Sequence, residues 1–256
     1  SPFFFFFGRS VGPFAYRPGV NPLGIDEIEQ IVETYAMAAS RARKVGADAI
    51  QIHAGHGYPL GQFLSPFFNR REDRYGGSSY NRARIFLEIR KAIAERAGTD
   101  FPVWIKMNAY DSVPGGMTPE DAEPYGTILG DAGYSAIEVT GGSPEGSYDS
   151  RGPLKRDSWF EGYYVDHAAR IKATCDLPVV AVGGIRRLKM VEEILSKGGA
   201  DMISMSRPFI CEPDLILRWQ SGETKPSHCK SCNGCVELMR KGKGLVCVSA
   251  ISMADQ

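Results

Sequence analysis

The sequence predicts an α/β fold of the TIM (β/α)8 type, with about five βα units in place of eight. Three observations predict it. Short, continuously apolar stretches alternate with helical patterns from residue 25 onward, and such stretches belong to strands covered on both faces. A helix and a tight turn precede each stretch, an order that gives parallel strands with right-handed crossovers. The chain has 256 residues, 43% of them hydrophobic, which suffices for one barrel core.

The elements follow in order. Ile28, Ile31, Val32, Tyr35, Ala38, Ala39 and Ala42 lie at helical spacing within 25–45, and Asp26, Glu27 and Glu29 occupy the first turn, where the helix dipole favours anions. Gly46 ends that helix, and ADAIQI (47–52) follows as a buried strand. A second helix over 79–97 buries Ile85, Phe86, Ile89 and Ile93 and stops at Gly98; Pro102 then leads into the strand VWIKMN (103–108). Thr118, Pro119, Glu120 and Asp121 supply a cap residue, a proline at the first helical position and acids behind it. That third helix ends near Gly133 and AIEVTGG (136–142) is the next strand. A helix over 163–174, the strand VVAVGGI (179–185), a helix over 187–197 and the strand ADMISMSRP (200–208) complete the alternation, with a short helix beginning near Asp214. Residues 1–24 cannot supply the three further strands of a full barrel. The expected division is an N-terminal, partly apolar segment (1–24), a barrel portion with the functional rim (25–222) and a loop-rich, cysteine-rich tail (223–256).

Bulk properties narrow the function. Thirty basic residues balance thirty acidic ones, so no charge excess calls for nucleic acid or a membrane surface. No apolar run approaches the roughly 20 residues that span a bilayer. The opening SPFFFFFGRS lacks a basic leader and a cleavage site, so a signal peptide is not expected, and its phenylalanines should be buried. Cys175 and Cys211 are scattered, whereas Cys229, Cys232, Cys235 and Cys247 cluster. Clustering of this kind favours metal binding in a reducing, cytoplasmic compartment over a disulfide framework.

Polar and glycine residues gather where the strands end, the rim that carries function in parallel barrels. His53 and His56 follow the first strand, and Lys106 and Asn108 end the second. Thr140, Gly141 and Gly142 close the third, Gly183 and Gly184 the fourth, Ser206 and Arg207 the fifth. Paired glycines let backbone N–H groups approach an anion, and arginine offers a bidentate fork for phosphate. The alternative is tight βα turns with a surface charge; occurrence at consecutive strand ends favours phosphate. His53 and His56 could be metal ligands, but no third ligand stands at a telling distance. Two imidazole donors converging on one oxygen would instead stabilise a developing enolate. Tyr58 carries a phenol proton that could be delivered to a carbon, or it is a packed loop aromatic.

The segment HAGHGYPLGQFLSPFFNRREDRYGGSSYNRARIFLEI resembles the signature of the old yellow enzyme family, the FMN-dependent NAD(P)H:flavin oxidoreductases and ene-reductases. The likeness continues through IKMNAYD, GGMTPEDA, AIEVTGG, VVAVGGI and MISMSRPFICEPDL, over roughly residues 22 to 235. It implies an FMN-carrying barrel in which a nicotinamide reduces the flavin and the flavin passes hydride to an activated alkene: an enone, an enoate or an enoyl thioester. By this resemblance His53 and His56 hold the substrate carbonyl oxygen and Tyr58 protonates the α-carbon. Lys106 stabilises the reduced flavin. Gly183, Gly184, Ser206 and Arg207 bind the phosphate, Gly141 belongs to the cofactor wall, and Arg82 ties loop to helix. The five units answer to strands four to eight of the family barrel, so the resemblance implies a shortened barrel without the earlier flavin-contacting strands. Pro59 and Gly61 depart from the family pattern in the loop that aims Tyr58.

CKSCNGCVELMRKGKGLVC spaces four cysteines by two, two and eleven residues. Thiolates at this density suit an iron–sulfur cluster or zinc, and free thiols in a loop are the alternative. The segment resembles the four-iron cluster loop of the dienoyl-CoA reductase branch, with the second and third cysteines one residue closer. Two functional classes remain: an FMN-dependent ene-reductase, and a non-catalytic fragment or subunit completed by a further chain or a second copy. An aldolase-like barrel with Lys106 as Schiff-base lysine is a third, weaker reading.

Overall fold

The protein is described from a computed structural model that covers residues 5–6, 9–149, 151–153 and 160–249. The burial expected for the phenylalanine side chains of the opening run falls outside the described residues. Three short strands come first. Strand β1 (Phe5–Phe6) pairs antiparallel with β2 (Arg9–Gly12), and β2 pairs parallel with β3 (Asn21–Pro22). Arg71 fastens this segment to the rest, donating to the carbonyls of Pro13 at 2.9 Å and Leu23 at 2.6 Å.

The main body alternates as its sequence dictates. Helix α1 (Ile25–Lys44) buries Ile28, Ile31, Ala36 and Ala39. Strand β4 (Ile50–Ala54) leads into a short helix α2 (Pro59–Leu64), and α3 (Ser79–Ala97) packs beside α1. Strand β5 (Val103–Asn108), helix α4 (Pro119–Asp131) and strand β6 (Ala136–Thr140) follow. A two-stranded antiparallel hairpin, β7 (Tyr148–Asp149) and β8 (Gly152–Pro153), interrupts the alternation before α5 (Val165–Lys172). Then come β9 (Val179–Ala181), α6 (Leu188–Ser196), β10 (Met202–Ile203), α7 (Arg207–Cys211), α8 (Leu215–Gln220) and α9 (Gly234–Arg240).

The five expected strands form one sheet in the order β10-β9-β6-β5-β4, every neighbouring pair parallel. Consecutive strands are neighbours, as in a barrel wall. Ile52, Ala54, Ile105, Met107, Ile137, Val139, Val179 and Ala181 are buried in the core with residues of α1, α3, α4 and α5. Successive side chains point to opposite faces of a strand. The alternate positions therefore form the other face, and most of them are polar: Gln51, His53, Lys106, Asn108, Glu138 and Thr140, beside Trp104, Ala136 and Val180. Asn108, Glu138, Thr140 and Val180 on this second face are buried as well, so its polar layer lies within the protein.

Element boundaries differ in informative ways. Strand β4 starts later than its apolar run suggests and extends to Ala54, so His53 stands within the strand. Strand β9 is three residues long, because Gly183 (φ 139°) and Gly184 (φ 69°) carry the chain out of extended conformation. Strand β10 is only two residues long, and α7 begins soon after it at Arg207, with Pro208 in its first turn. The tail, expected as loop, contains α9.

Candidate active site

Strand register aligns the polar face. His53 lies opposite Lys106, and Lys106 lies opposite Glu138, so one lateral row crosses β4, β5 and β6. Lys106 Nζ donates to Glu138 Oε1 at 2.7 Å, and Gln51 Nε2 donates to Glu138 Oε2 at 2.9 Å. Burial would raise the Glu138 carboxyl, but the Lys106 charge and the hydrogen bonds from Lys106, Gln51 and Ser204 hold it below the usual range. One step along, Asn108 and Thr140 are paired in register. Asn108 Oδ1 accepts from the His56 backbone N–H at 2.9 Å, while its Nδ2 donates to Asp111 and to the Gly142 carbonyl, both at 2.9 Å.

His56 adopts a left-handed backbone (φ 59°), and its Nε2 is 2.9 Å from Thr140 Oγ1. Burial, then the charges of His53 and Lys106, push its pKa down to about 3, so the ring is neutral at neutral pH. His53 is lowered too, chiefly by burial and then by Lys106, with Glu138 opposing. The rings of His53, His56 and Tyr58 come together: centroids are 5.0 Å apart for His53–His56, 5.0 Å for His53–Tyr58 and 6.4 Å for His56–Tyr58.

These three side chains face two cavities. His56 lines a cavity of ≈ 330 Å³ together with Lys106, Thr140, Gly183, Gly184, Ser206 and Arg207. His53 and Tyr58 line a second, apolar one of ≈ 200 Å³ with Leu23, Ile31, Tyr35, Pro59, Leu60 and Phe63. The larger cavity thus draws on the C-terminal ends of β5, β6, β9 and β10 and the loops that follow them. Arg207 donates to Asn233 Oδ1 at 2.7 Å, to the Arg151 carbonyl at 3.1 Å and to the Tyr163 hydroxyl at 3.4 Å. Among the described residues it has no carboxylate partner. Gly183 faces the backbone of Tyr164, where a Cβ would come within 3.0 Å of the amide nitrogen. Gly141 lines neither cavity: its missing side chain makes room for Tyr164, whose ring would stand 2.7 Å from a Cβ.

Sequence reasoning missed several residues here. Tyr164 lines the larger cavity with a buried hydroxyl that has no hydrogen-bond partner among the described residues. Arg151 also lines it and pairs with Asp149 of the hairpin. Glu138 sits behind Lys106. A buried acid in an otherwise apolar strand, AIEVT, was the available signal for Glu138; Tyr164 and Arg151 carried none. Arg82 donates to the Leu64 carbonyl and the Tyr125 hydroxyl, both at 3.1 Å, and to the Gly77 carbonyl, joining loop to helix.

Among the described residues no group of three or more His, Cys, Asp or Glu side chains is arranged to hold a metal ion. Cys229, Cys235 and Cys247 are buried and Cys232 is exposed. Helix α9 begins between the second and third cysteines, after Asn233 (φ 62°), and carries Cys235 in its first turn. Cys247 acts on Cys229 and also on Cys211, whose thiol is pushed up to about 12 by burial and then by Cys247. The tail also walls the larger cavity through Ser231, Val236 and Leu245. Among the described residues no helix is long and apolar enough to cross a membrane.

Residues 20–225 match the NADH:flavin oxidoreductase / NADH oxidase family. An NADH oxidase of Thermoanaerobacter brockii is 38% identical over 223 residues, 85% of this chain and 34% of that protein. A cinnamate reductase of Clostridium sporogenes is 32% identical over 256 residues, 92% of this chain and 38% of that protein. Among solved structures, a complex of 2-naphthoyl-CoA reductase with 2-naphthoyl-CoA superposes with TM-score 0.84 at 26% identity, over 95% of this chain and 38% of that one. Morphinone reductase in complex with tetrahydroNAD gives TM-score 0.65 at 26% identity, over 84% of this chain and 60% of that one. The chain spans 34% to 38% of the length of the two curated relatives.

Proposed function

The chain belongs to the NADH:flavin oxidoreductase / NADH oxidase family, and from that premise we propose that it carries the cofactor and substrate walls of an FMN-dependent oxidoreductase that moves hydride from NAD(P)H to an activated alkene. The observation that supports this best is the single ≈ 330 Å³ cavity that joins His56 and Lys106 to Gly183, Gly184, Ser206 and Arg207. Those residues fit FMN. A guanidinium with only neutral hydrogen-bond partners among the described residues and a glycine pair suit its phosphate at one end. A lysine suits the negative charge of the reduced ring at the other. The orphaned Tyr164 hydroxyl along the way suits a polar ring or ribityl group.

Bound there, FMN would supply hydride transfer, which no amino-acid side chain can perform. The chain's own residues bind, orient and protonate. Arg207 and Ser206, with the backbone N–H groups around Gly183 and Gly184, hold the phosphate. Lys106 offers its ammonium to developing negative charge. His56, neutral, and His53 share the substrate's carbonyl oxygen, their rings being adjacent, and so polarise the alkene. Tyr58 protonates the α-carbon from the His53 side. Relatives named cinnamate reductase and 2-naphthoyl-CoA reductase support a carboxylate or thioester as the activating group.

A second reading rests on the sheet's outer strands. Strands β4 and β10 each have one neighbour among the described residues, and edges of this kind are rarely left bare. In this reading residues 25–222 are one portion of a barrel that another segment, a further chain or a second copy completes. The cysteine spacing supports an iron–sulfur cluster or zinc, but among the described residues no three of these thiols are arranged to hold a metal ion.

Anaerobic titration decides. Loaded with FMN, the protein should lose flavin absorbance on adding NADH or NADPH and regain it on adding an enone or cinnamate. Flavin that no nicotinamide bleaches, or that no activated alkene reoxidises, rejects the ene-reductase reading. Arg207→Met should weaken FMN binding by roughly 10- to 100-fold, the scale of a charge-assisted hydrogen-bonded pair.

A further inference from the structure

We propose that Glu138 is a positioning residue that fixes Lys106 from behind and offsets its charge, thereby setting how strongly the cavity favours the reduced cofactor. The inference rests on the FMN reading above and extends it to a residue outside the cavity wall.

The geometry carries it. Lys106 lines the ≈ 330 Å³ cavity and Glu138 does not. The two are aligned in register on neighbouring parallel strands, with Nζ and Oε1 2.7 Å apart. The carboxylate side chain is 8% exposed and the lysine 22%, so solvent screens the pair weakly. Glu138 is itself held: Gln51 donates to its second oxygen at 2.9 Å, and Ser204 adds a further hydrogen bond. A lysine stem has four rotatable carbons, and a charge tethered at one end is otherwise free to swing. Here a rigid acid on the central strand of the sheet fixes where the ammonium stands. It also weakens what the cavity feels, because a buried pair acts as a dipole where a bare ammonium would act as a full charge.

The row across the sheet provides a reporter that needs no flavin. His53 is opposite Lys106 in register, and its other titratable neighbours are His56 and Tyr58 on the loop. Lys106 lowers the His53 pKa and Glu138 raises it. Removing the acid's charge should therefore lower it further.

Glu138→Gln keeps an acceptor oxygen for Lys106 and removes the charge. In the FMN-loaded protein it should favour the reduced flavin by about tenfold, which for a two-electron couple raises the midpoint potential by about 30 mV. Glu138→Asp restores the charge and should return the potential toward its original value, while also serving as a folding control. In the cofactor-free protein, the His53 imidazole titration followed by NMR should move to lower pH in Glu138→Gln. An unchanged or lowered midpoint potential in Glu138→Gln overturns the proposal. If the unaltered protein binds no FMN, the cofactor reading falls. The His53 titration then decides alone: a downward move keeps Glu138 as the counter-charge of Lys106, and no move removes it from that role.

Discussion

Asn108 reads in the sequence as one more polar strand end, yet three loops converge on it. Its amide joins the His56 backbone, the Asp111 carboxyl and the Gly142 carbonyl. Replacing it by alanine orphans buried groups that each cost about 1–3 kcal/mol. Asn108→Ala should therefore lose several kcal/mol in urea unfolding and displace His56. The polar rim was legible because residue types at strand ends are visible in one dimension. The hub was not, because its partners lie 3, 34 and 52 residues away. His56 gives a prediction about pH. Its folded pKa is depressed to about 3 from 6.5, so the unfolded state binds the extra proton between those values. Stability should then rise with pH through that window and fall as the solution is acidified, with a slope of up to about 1.4 kcal/mol per pH unit from this group. His53 and His167, also lowered by burial, act in the same direction. His56→Asn tolerates the left-handed backbone and removes the titration. Its unfolding free energy, compared at pH 4 and pH 6, should depend less on pH than that of the parent.

At the scale of elements, helices announced by caps were the most legible. Thr118 accepts from the Asp121 N–H, and Asp121 accepts from the Thr118 N–H, at the start of α4. Thr118→Ala should cost about 1 kcal/mol of stability, seen as a lower denaturation midpoint with an unchanged slope. Helix α2 escaped because six residues hold too few turns to show a period. Helix α9 was hidden because it lies inside the clustered cysteines, a spacing typical of a metal-binding loop, although GCVELMR itself carries an ordinary helical composition. Strands β9 and β10 came out shorter than their apolar runs. Apolarity reports burial, whereas strand length depends on where pairing stops, and the glycine pair stops it after Ala181.

For the whole molecule, the larger cavity draws on segments from His56 to Leu245, so distant parts of the chain should act on one ligand. Asn233, at the start of α9, fixes Arg207 through its side-chain oxygen. Asn233→Gly keeps the left-handed backbone and removes this anchor. It should weaken FMN binding by roughly tenfold, the scale of one hydrogen bond to a charged group, without lowering stability comparably. Equilibrium dialysis beside a thermal melt would separate the two effects. The row His53–Lys106–Glu138 has a consequence for how this chain can vary. Neighbouring residues of a strand face opposite sides, so the row depends on parity. Deleting one residue within β5 would turn Ile105 or Met107 toward the cavity and send the ammonium among the helices. Deleting two would restore the side but shift the height by a full pleat, about 7 Å, away from both partners. The three strands can accept exchanges of side chains far more readily than any change in their length.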